Sequence, residues 1–317
     1  MSGYLDRLAN IKGKVAVLVG GGDGVGRGVS LALAEAGCHL AICDIEDTGT
    51  AETVAMAQAH GVKVMSSIID ATETDQLSGF FDQVEREFPD GIDILVNLVG
   101  GVKRMHFADS TPADWARDIH RNWVYALESS HRAIRLMRRK GNGGSIINFT
   151  TIEAHRGAGS FAVYAGAKAA LTNWSRALAV ELGSENIRVN CLAPDVSPSK
   201  TSGDSLEPEL LAASAKLKPG QWERMWPIYV PMGYCPPVEE LAKGVLYLAS
   251  DLSATVTGTT LHVDGGTYAA SGFLNWPYNV GYLPCPQGDA LGTLYPAQPG
   301  DETPKRPGSS FLAGKVE

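Results

Sequence analysis

The sequence predicts an α/β protein built on a doubly wound, seven-stranded parallel sheet with helices on both faces. Three observations predict it. Short β-branched runs alternate with stretches of helical period along most of the chain. The first run opens straight into a glycine-rich turn that leads into a helix, which is the order of a phosphate-binding unit. The composition, 44 % hydrophobic and 20 % charged over 317 residues, supports one large core-bearing domain.

In order, strands are expected at 14–19, 39–43, 62–68, 92–97, 145–149, 187–192 and 258–263, with helices at 27–36, 48–60, 73–88, 112–139, 161–182 and 238–250. The first strand runs into Gly20-Gly-Gly-Asp-Gly-Val-Gly26, so Gly20, Gly22, Asp23, Gly24, Val25 and Gly26 are candidate cofactor residues: glycines let the backbone approach a pyrophosphate that faces the following helix. The second strand ends at Asp44, followed by Ile45, where a carboxylate accepts both ribose hydroxyls of adenosine. Against a 2′-phosphate that charge repels by roughly 4 kcal/mol at 4 Å, about a thousandfold in affinity, and Asp23 adds a second negative charge. Both favour NAD over NADP. Asp70 and Ala71 follow the third strand, within reach of an adenine edge. Asn97-Leu-Val-Gly-Gly101, which includes Val99 and Gly100, follows the fourth, and ligands of such sheets lie beyond the carboxyl ends of the strands.

Net charge is −8 with no basic stripe, which argues against nucleic acid. There is no signal-like N-terminus and no apolar run of membrane-spanning length, so a cytoplasmic protein without a membrane partner is expected. Five cysteines (Cys38, Cys43, Cys191, Cys235, Cys285) without CxxC spacing read as free thiols, and no metal site is expected.

Tyr164-Ala-Gly-Ala-Lys168 places a phenol and an amine one helical turn apart. A tyrosine with a pKa of about 10 needs roughly 4 kcal/mol of help to act as a base near neutrality. One ammonium about 6 Å away supplies roughly 2 to 3 kcal/mol, so the pair becomes useful beside a second positive charge such as an oxidised nicotinamide.

The glycine turn, Asn97-Leu-Val-Gly100, Asn122, a hydroxyl residue ahead of Tyr164-x-x-x-Lys168, Arg188-Val-Asn-Cys-Leu-Ala-Pro194 and Thr257-Gly-Thr-Thr-Leu-His-Val-Asp-Gly-Gly266 together resemble the short-chain dehydrogenase/reductases over about residues 11 to 270. The resemblance implies a Rossmann-type sheet and a catalytic tetrad. In it Tyr164 is the general acid/base, Lys168 lowers its pKa and holds the nicotinamide ribose, Asn122 positions a relay water, and Thr151 stands where a serine usually steadies the substrate oxygen, with Thr150 as the fallback. It also implies cofactor contacts from Pro194, Val196 and Ser199. Departures are Val19, Leu98-Val99, Thr151 and Asp195, the last placing a carboxylate near the nicotinamide end.

Residues 1–268 are expected to form this single domain, with 199–232 as a substrate lid. Trp222, Met225, Trp226, Ile228 and Tyr229 either line that lid, favouring a bulky lipophilic or alicyclic alcohol such as a steroid, or pack it to the core. Lys103, Arg104 and Arg156 border the opening, as rim charges or as anchors for an acyl-CoA; Glu153 and His155 have no orientation from sequence. Residues 269–317 are an extension whose aromatics (Phe273, Trp276, Tyr278, Tyr282, Tyr295) suggest packing on a neighbouring subunit, with 300–317 solvated. The family interface implies a homotetramer or homodimer. The leading reading is an NAD-dependent oxidoreductase joining a secondary alcohol and a ketone; the alternatives are a silent NAD-binding sensor and a 3-hydroxyacyl-CoA dehydrogenase.

Overall fold

The computed structural model describes residues 3–197, 212, 224–276 and 281–284. The chain divides into two compact units, Met1–Ser271 and Gly272–Glu317. In the first, strands β1 (Val15–Val19), β2 (His39–Asp44), β3 (Val64–Ile68), β4 (Ile94–Asn97), β5 (Gly144–Phe149), β6 (Ile187–Ala193) and β7 (Thr260–His262) form one sheet in the order 3-2-1-4-5-6-7. Every pairing is parallel. The expected seven strands and their direction are therefore what the chain adopts, with ends moved by one or two residues.

Alternation along each strand builds two cores. Val15, Val17 and Val19 of β1 face one way, joining Phe80, Phe81 and Val84 of helix Thr74–Glu87 and Leu171, Leu178 and Leu182 of helix Ala162–Leu182. Ala16 and Leu18 face the other way, joining Val29 and Leu33 of helix Gly24–Glu35 and Leu241, Val245 and Leu248 of helix Val238–Ala249. Burial on both faces explains why β1, β2, β4 and β5 read as largely apolar runs, whereas the edge strands β3 and β7 carry polar residues.

A buried polar ladder ties the layers together. The Asn97 amide donates to Asn148 Oδ1 at 2.8 Å and accepts from Ser129 Oγ at 2.7 Å, and Asn148 donates to Ser175 Oγ at 2.9 Å.

The expected helix over 112–139 is one rod with an internal irregularity: α-helix Pro112–Ile119, a π segment His120–Val124, then α-helix Tyr125–Lys140. Thr111 starts it with a reciprocal cap, accepting from Asp114 N while Asp114 accepts from Thr111 N. Sequence periodicity did not show the short N-terminal helix Tyr4–Ala9, which buries no residue and so carries no apolar stripe. The second unit holds an antiparallel pair, Leu274–Trp276 with Gly281–Leu283, in which the Trp276 indole donates to Leu283 O at 3.0 Å.

Candidate active site

The chain order reverses between β1 and β4, so the crevice for a ligand opens past their carboxyl ends. Both loops there depend on glycine. Gly20 has φ +91°, and a Cβ on it would meet the Val99 side chain at 2.9 Å, so the glycine turn lies directly against the loop after β4. A Cβ on Gly26 would sit 1.9 Å from Gly20 O, which fixes the sharp entry into helix Gly24–Glu35. The result is a backbone cradle at a helix N-terminus, the geometry that accepts a pyrophosphate.

Asp44, at the end of β2, lines the cleft beside the glycine turn. Its carboxylate accepts from Gly22 N at 2.8 Å, Ile45 N at 2.8 Å and Glu46 N at 3.2 Å. Three of about four acceptor sites are then engaged by the backbone. A cleft of about 750 Å³ is lined by Asp44, Ile45, Asp70, Ala71, Val99 and Arg121 among others, which brings five of the expected cofactor residues together. Asp70 folds one oxygen back onto Thr72 N and Oγ1 at 2.8 and 2.7 Å. Asn97 is different: it is fully buried and its side chain belongs to the core ladder, so only its main chain is left to face a ligand. Asp23 stands at the N-cap position of helix Gly24–Glu35 without a side-chain capping bond, and lies 3.5 Å from Arg27, whose guanidinium also reaches Glu52 at 2.7 Å.

The chemical end gathers at the start of helix Ala162–Leu182. Lys168 is 3 % exposed and donates to Phe149 O at 2.9 Å. Burial, with Arg121 nearby, holds its pKa down at about 8. A Cβ on Gly100 would lie 3.1 Å from both Lys168 Nζ and Asn122 Oδ1, so this glycine lets the β4 loop pass over both groups. Asn122 sits in the π segment with its amide donating to Asp118 O and Gly101 O, each at 2.9 Å, while its Oδ1 accepts from Gly101 N at 3.1 Å.

Tyr164, one turn before Lys168, hydrogen-bonds the Thr151 side chain, and burial pushes its pKa up to about 12. The expected depression by Lys168 is not what the protein alone produces. Desolvation outweighs any help from the lysine, whose ammonium is turned to Phe149 O. Thr151, the serine-position residue, has its hydroxyl on the Tyr164 side, whereas the fallback Thr150 turns into the sheet toward Leu192 O at 3.4 Å.

An array that sequence reasoning had only as separate residues surrounds this hydroxyl. Thr151 donates to the Glu153 carboxylate; Arg156 donates to Glu153 Oε1 at 2.9 Å and to Tyr229 OH at 2.8 Å; Tyr229 donates to Asp195 Oδ2 at 2.6 Å. Burial raises the Asp195 pKa, opposed by its hydrogen bonds. The glycine-to-aspartate departure thus has its partners within the protein, and Arg156 is a member of this array rather than a rim charge. The only available signal was the closeness of Glu153 and Arg156 to Thr151; Tyr229 is too distant in sequence to be linked. Arg104 stacks over the Phe161 ring at 5.3 Å. Pro194 O accepts from Ile152 N at 3.1 Å, and Val196 is partly exposed beyond it. Ser199, Trp222, Cys285, Tyr278, Tyr295 and most of the expected 199–232 lid lie outside the described residues. Cys38, Cys43 and Cys191 are buried free thiols, with pKa values raised by desolvation.

Sheet order and a glycine turn at its switch point define a nucleotide-binding Rossmann protein. The family model described as enoyl-(acyl carrier protein) reductase matches residues 20–268. The 3-oxoacyl-(acyl-carrier-protein) reductase FabG of Chlamydia trachomatis is 32 % identical over 257 residues, 80 % of this chain and 96 % of that protein. D-xylose 1-dehydrogenase of Caulobacter vibrioides is 30 % identical over 257 residues, 81 % and 96 % respectively. Among solved structures, a 7α-hydroxysteroid dehydrogenase complexed with NADH and 7-oxo glycochenodeoxycholic acid superposes with a TM-score of 0.73 at 28 % identity, covering 84 % of this chain and 98 % of that one. The chain belongs to the short-chain dehydrogenase/reductase family, oxidoreductases of the alcohol/ketone type. Among the described residues no helix is long and apolar enough to cross a membrane.

Proposed function

We propose that this protein uses NAD to interconvert a secondary alcohol and a ketone, with Tyr164 as proton carrier. The observation that carries the reading is the convergence of Tyr164, Thr151, buried Lys168 and Asn122 beside the glycine cradle. The residues present fit a dinucleotide. Gly20, Gly22, Asp23, Gly24, Val25 and Gly26 would hold the pyrophosphate, Asp44 and Ile45 the adenosine ribose, and Asp70, Ala71, Val99 and Gly100 the walls. Lys168 would reach the nicotinamide ribose, with Pro194 and Val196 at the carboxamide. When bound, the nicotinamide supplies hydride acceptance and positive charge. The chain's own work is to hold the substrate oxygen between Thr151 and Tyr164 and to move its proton.

NAD is favoured over NADP by the Asp44 carboxylate, which lines the cleft proposed for the adenosine ribose and would repel a 2′-phosphate there. A bulky alicyclic or lipophilic substrate is supported by the apolar Met225, Trp226 and Ile228 and by the steroid enzyme among the structural relatives.

Reduced-cofactor formation should be followed with NAD and NADP over steroid, alicyclic, sugar and hydroxyacyl-CoA alcohols, in wild type and Tyr164→Phe. Turnover with NAD that Tyr164→Phe abolishes is expected, with a preference over NADP on the order of a thousandfold. NAD binding without turnover on any alcohol would turn the reading toward a silent sensor.

A further inference from the structure

The loop after β4 runs beneath two cations. A Cβ on Gly100 would lie 3.1 Å from Lys168 Nζ, and a Cβ on Gly101 would lie 2.8 Å from Arg121 Cζ and 3.1 Å from Arg121 Nε and Nη2. The Arg121 guanidinium therefore rests on Gly101 in the space a side chain would fill. Two residues earlier the same loop meets the glycine turn, where a Cβ on Gly20 would touch Val99. Asn122 fixes the approach: its Oδ1 accepts from Gly101 N at 3.1 Å and its amide donates to Gly101 O at 2.9 Å, so the residue before it is carried over the same glycine. Arg117, His120 and Arg121 recur at i, i+3 and i+4 along the rod, and all three line the cleft of about 750 Å³.

The charges of that cleft are unequal. Asp44, Asp70, Glu73 and Asp75 line it against Arg117 and Arg121. Arg117 is held by Asp114 at 2.8 Å and Asp118 at 3.1 Å. Arg121 is exposed, and among the described residues it forms no hydrogen bond or ion pair. Lys168, over the neighbouring glycine, donates to Phe149 O and has no carboxylate partner among them either. Carboxylates so placed repel a dinucleotide, whose diphosphate is a dianion, and the backbone N–H groups of a glycine turn bring only partial charges against that repulsion.

We propose that Arg121 is a cofactor-binding residue, its guanidinium supplying the counter-charge to the dinucleotide's diphosphate from the side of the loop after β4. The inference rests on the NAD-dependent reading above and deepens it. A guanidinium is always charged, and its fork of donors matches the oxygens of a phosphate, so it adds what the glycine turn lacks. The diphosphate is common to the oxidised and the reduced dinucleotide. Arg121 thus contributes alike to both, and its discrimination is between a dinucleotide and a bare nucleoside. An Arg121 neutralised in this way also ceases to oppose the Lys168 ammonium, whose pKa is held down by burial and then by Arg121.

Arg121→Gln removes the charge from an exposed side chain that bonds to nothing in the fold, so its urea midpoint should match that of wild type. Dissociation constants are compared by calorimetry for NAD, NADH, NADP and ADP-ribose, and by competition for adenosine, at low and high salt. Expected are a loss of affinity on the order of 30-fold for NAD, NADH and ADP-ribose alike, no change for adenosine, and a weaker dependence on salt than in wild type. Arg121→Lys, which keeps the charge without the fork, should lie between the two. Unchanged ADP-ribose affinity in Arg121→Gln overturns the proposal. So does an equal loss for adenosine, which would put Arg121 on the base, or a loss confined to NADP, which would put it on a 2′-phosphate. A wild type that binds none of these ligands overturns the cofactor reading beneath the proposal. One that binds them yet turns over no alcohol fails only as a dehydrogenase, and the Arg121 comparison still decides.

Discussion

Lys168 and Tyr164 are opposed titrating neighbours, and their shifts have opposite consequences for stability. Burial lowers the Lys168 pKa from 10.5 to about 8, so between those values the unfolded chain binds a proton that the folded one does not. Stability therefore rises with pH across that window and is lost as pH falls through about 8, by up to about 3 kcal/mol in total. Tyr164, raised from 10.0 to about 12, works the other way: the folded state keeps a proton the unfolded state has shed, and stability falls as pH climbs through that range. Urea midpoints measured from pH 7 to 11 should climb for wild type only up to about pH 8.5, because above that the raised pKa values of Cys38, Cys43, Cys191 and Tyr164 make the folded state keep protons that the unfolded chain sheds. Lys168→Met should show no such climb, and should be inactive, since the group proposed to hold the ribose is gone. An identical slope in the two proteins would mean that Lys168 is not desolvated in solution.

At the level of elements, the π segment His120–Val124 decides where Asn122 points. A single wide turn inside an otherwise regular rod re-aims one side chain, and such turns occur often at functional positions. Asn122 spends all three of its observed hydrogen bonds on the helix and on the loop after β4. Asn122→Ala leaves both Gly101 backbone groups and Asp118 O without those partners. It should cost about 3 kcal/mol in denaturant unfolding and reduce kcat together with NAD affinity, because the Gly100–Gly101 loop loses its anchor. Loss of kcat at unchanged stability would show that Asn122 acts on a water alone. The composition around 112–139 announces a helix but holds no sign of the wide turn, since a π segment changes backbone pairing without changing the apolar period.

Over the whole molecule, the seven strands and their parallel direction were legible from the alternation of short runs with helical stretches, most clearly at β1, β2, β4, β5 and β6, which are buried on both faces and therefore mostly apolar. The site was legible where chemistry demands a residue at a fixed offset, as for Tyr164 and Lys168 or Gly20 and Asp44. It was illegible where a role is set by contacts between distant segments. Asp195 looked like an isolated oddity because its partner Tyr229 lies 34 residues on, and Asn97 looked like a ligand residue because nothing local shows that Asn148 and Ser129 claim its amide. The extension was equally opaque: three-residue strands give no usable period. A two-stranded hairpin is marginal by itself in water, and we propose that the extension from 267 to about 298 packs on a neighbouring subunit of a homotetramer or homodimer. Truncation after Tyr268 should then reduce the assembly size seen by light scattering and raise KM; unchanged assembly and KM would remove the extension from both roles.

Asp44 also governs how readily this protein's cofactor preference can be changed. Its carboxylate is at once the proposed discriminator against a phosphate and the clip that holds Gly22 N to the end of β2. Gly22 has no slack there, since a Cβ on it would meet Thr50 Oγ1 at 2.0 Å and Asp44 Cβ at 2.7 Å. Preference and architecture are vested in the same atoms. Redesign toward NADP by exchanging this residue alone would dismantle the pyrophosphate turn along with the repulsion, so an effective switch must replace the clip before it removes the charge.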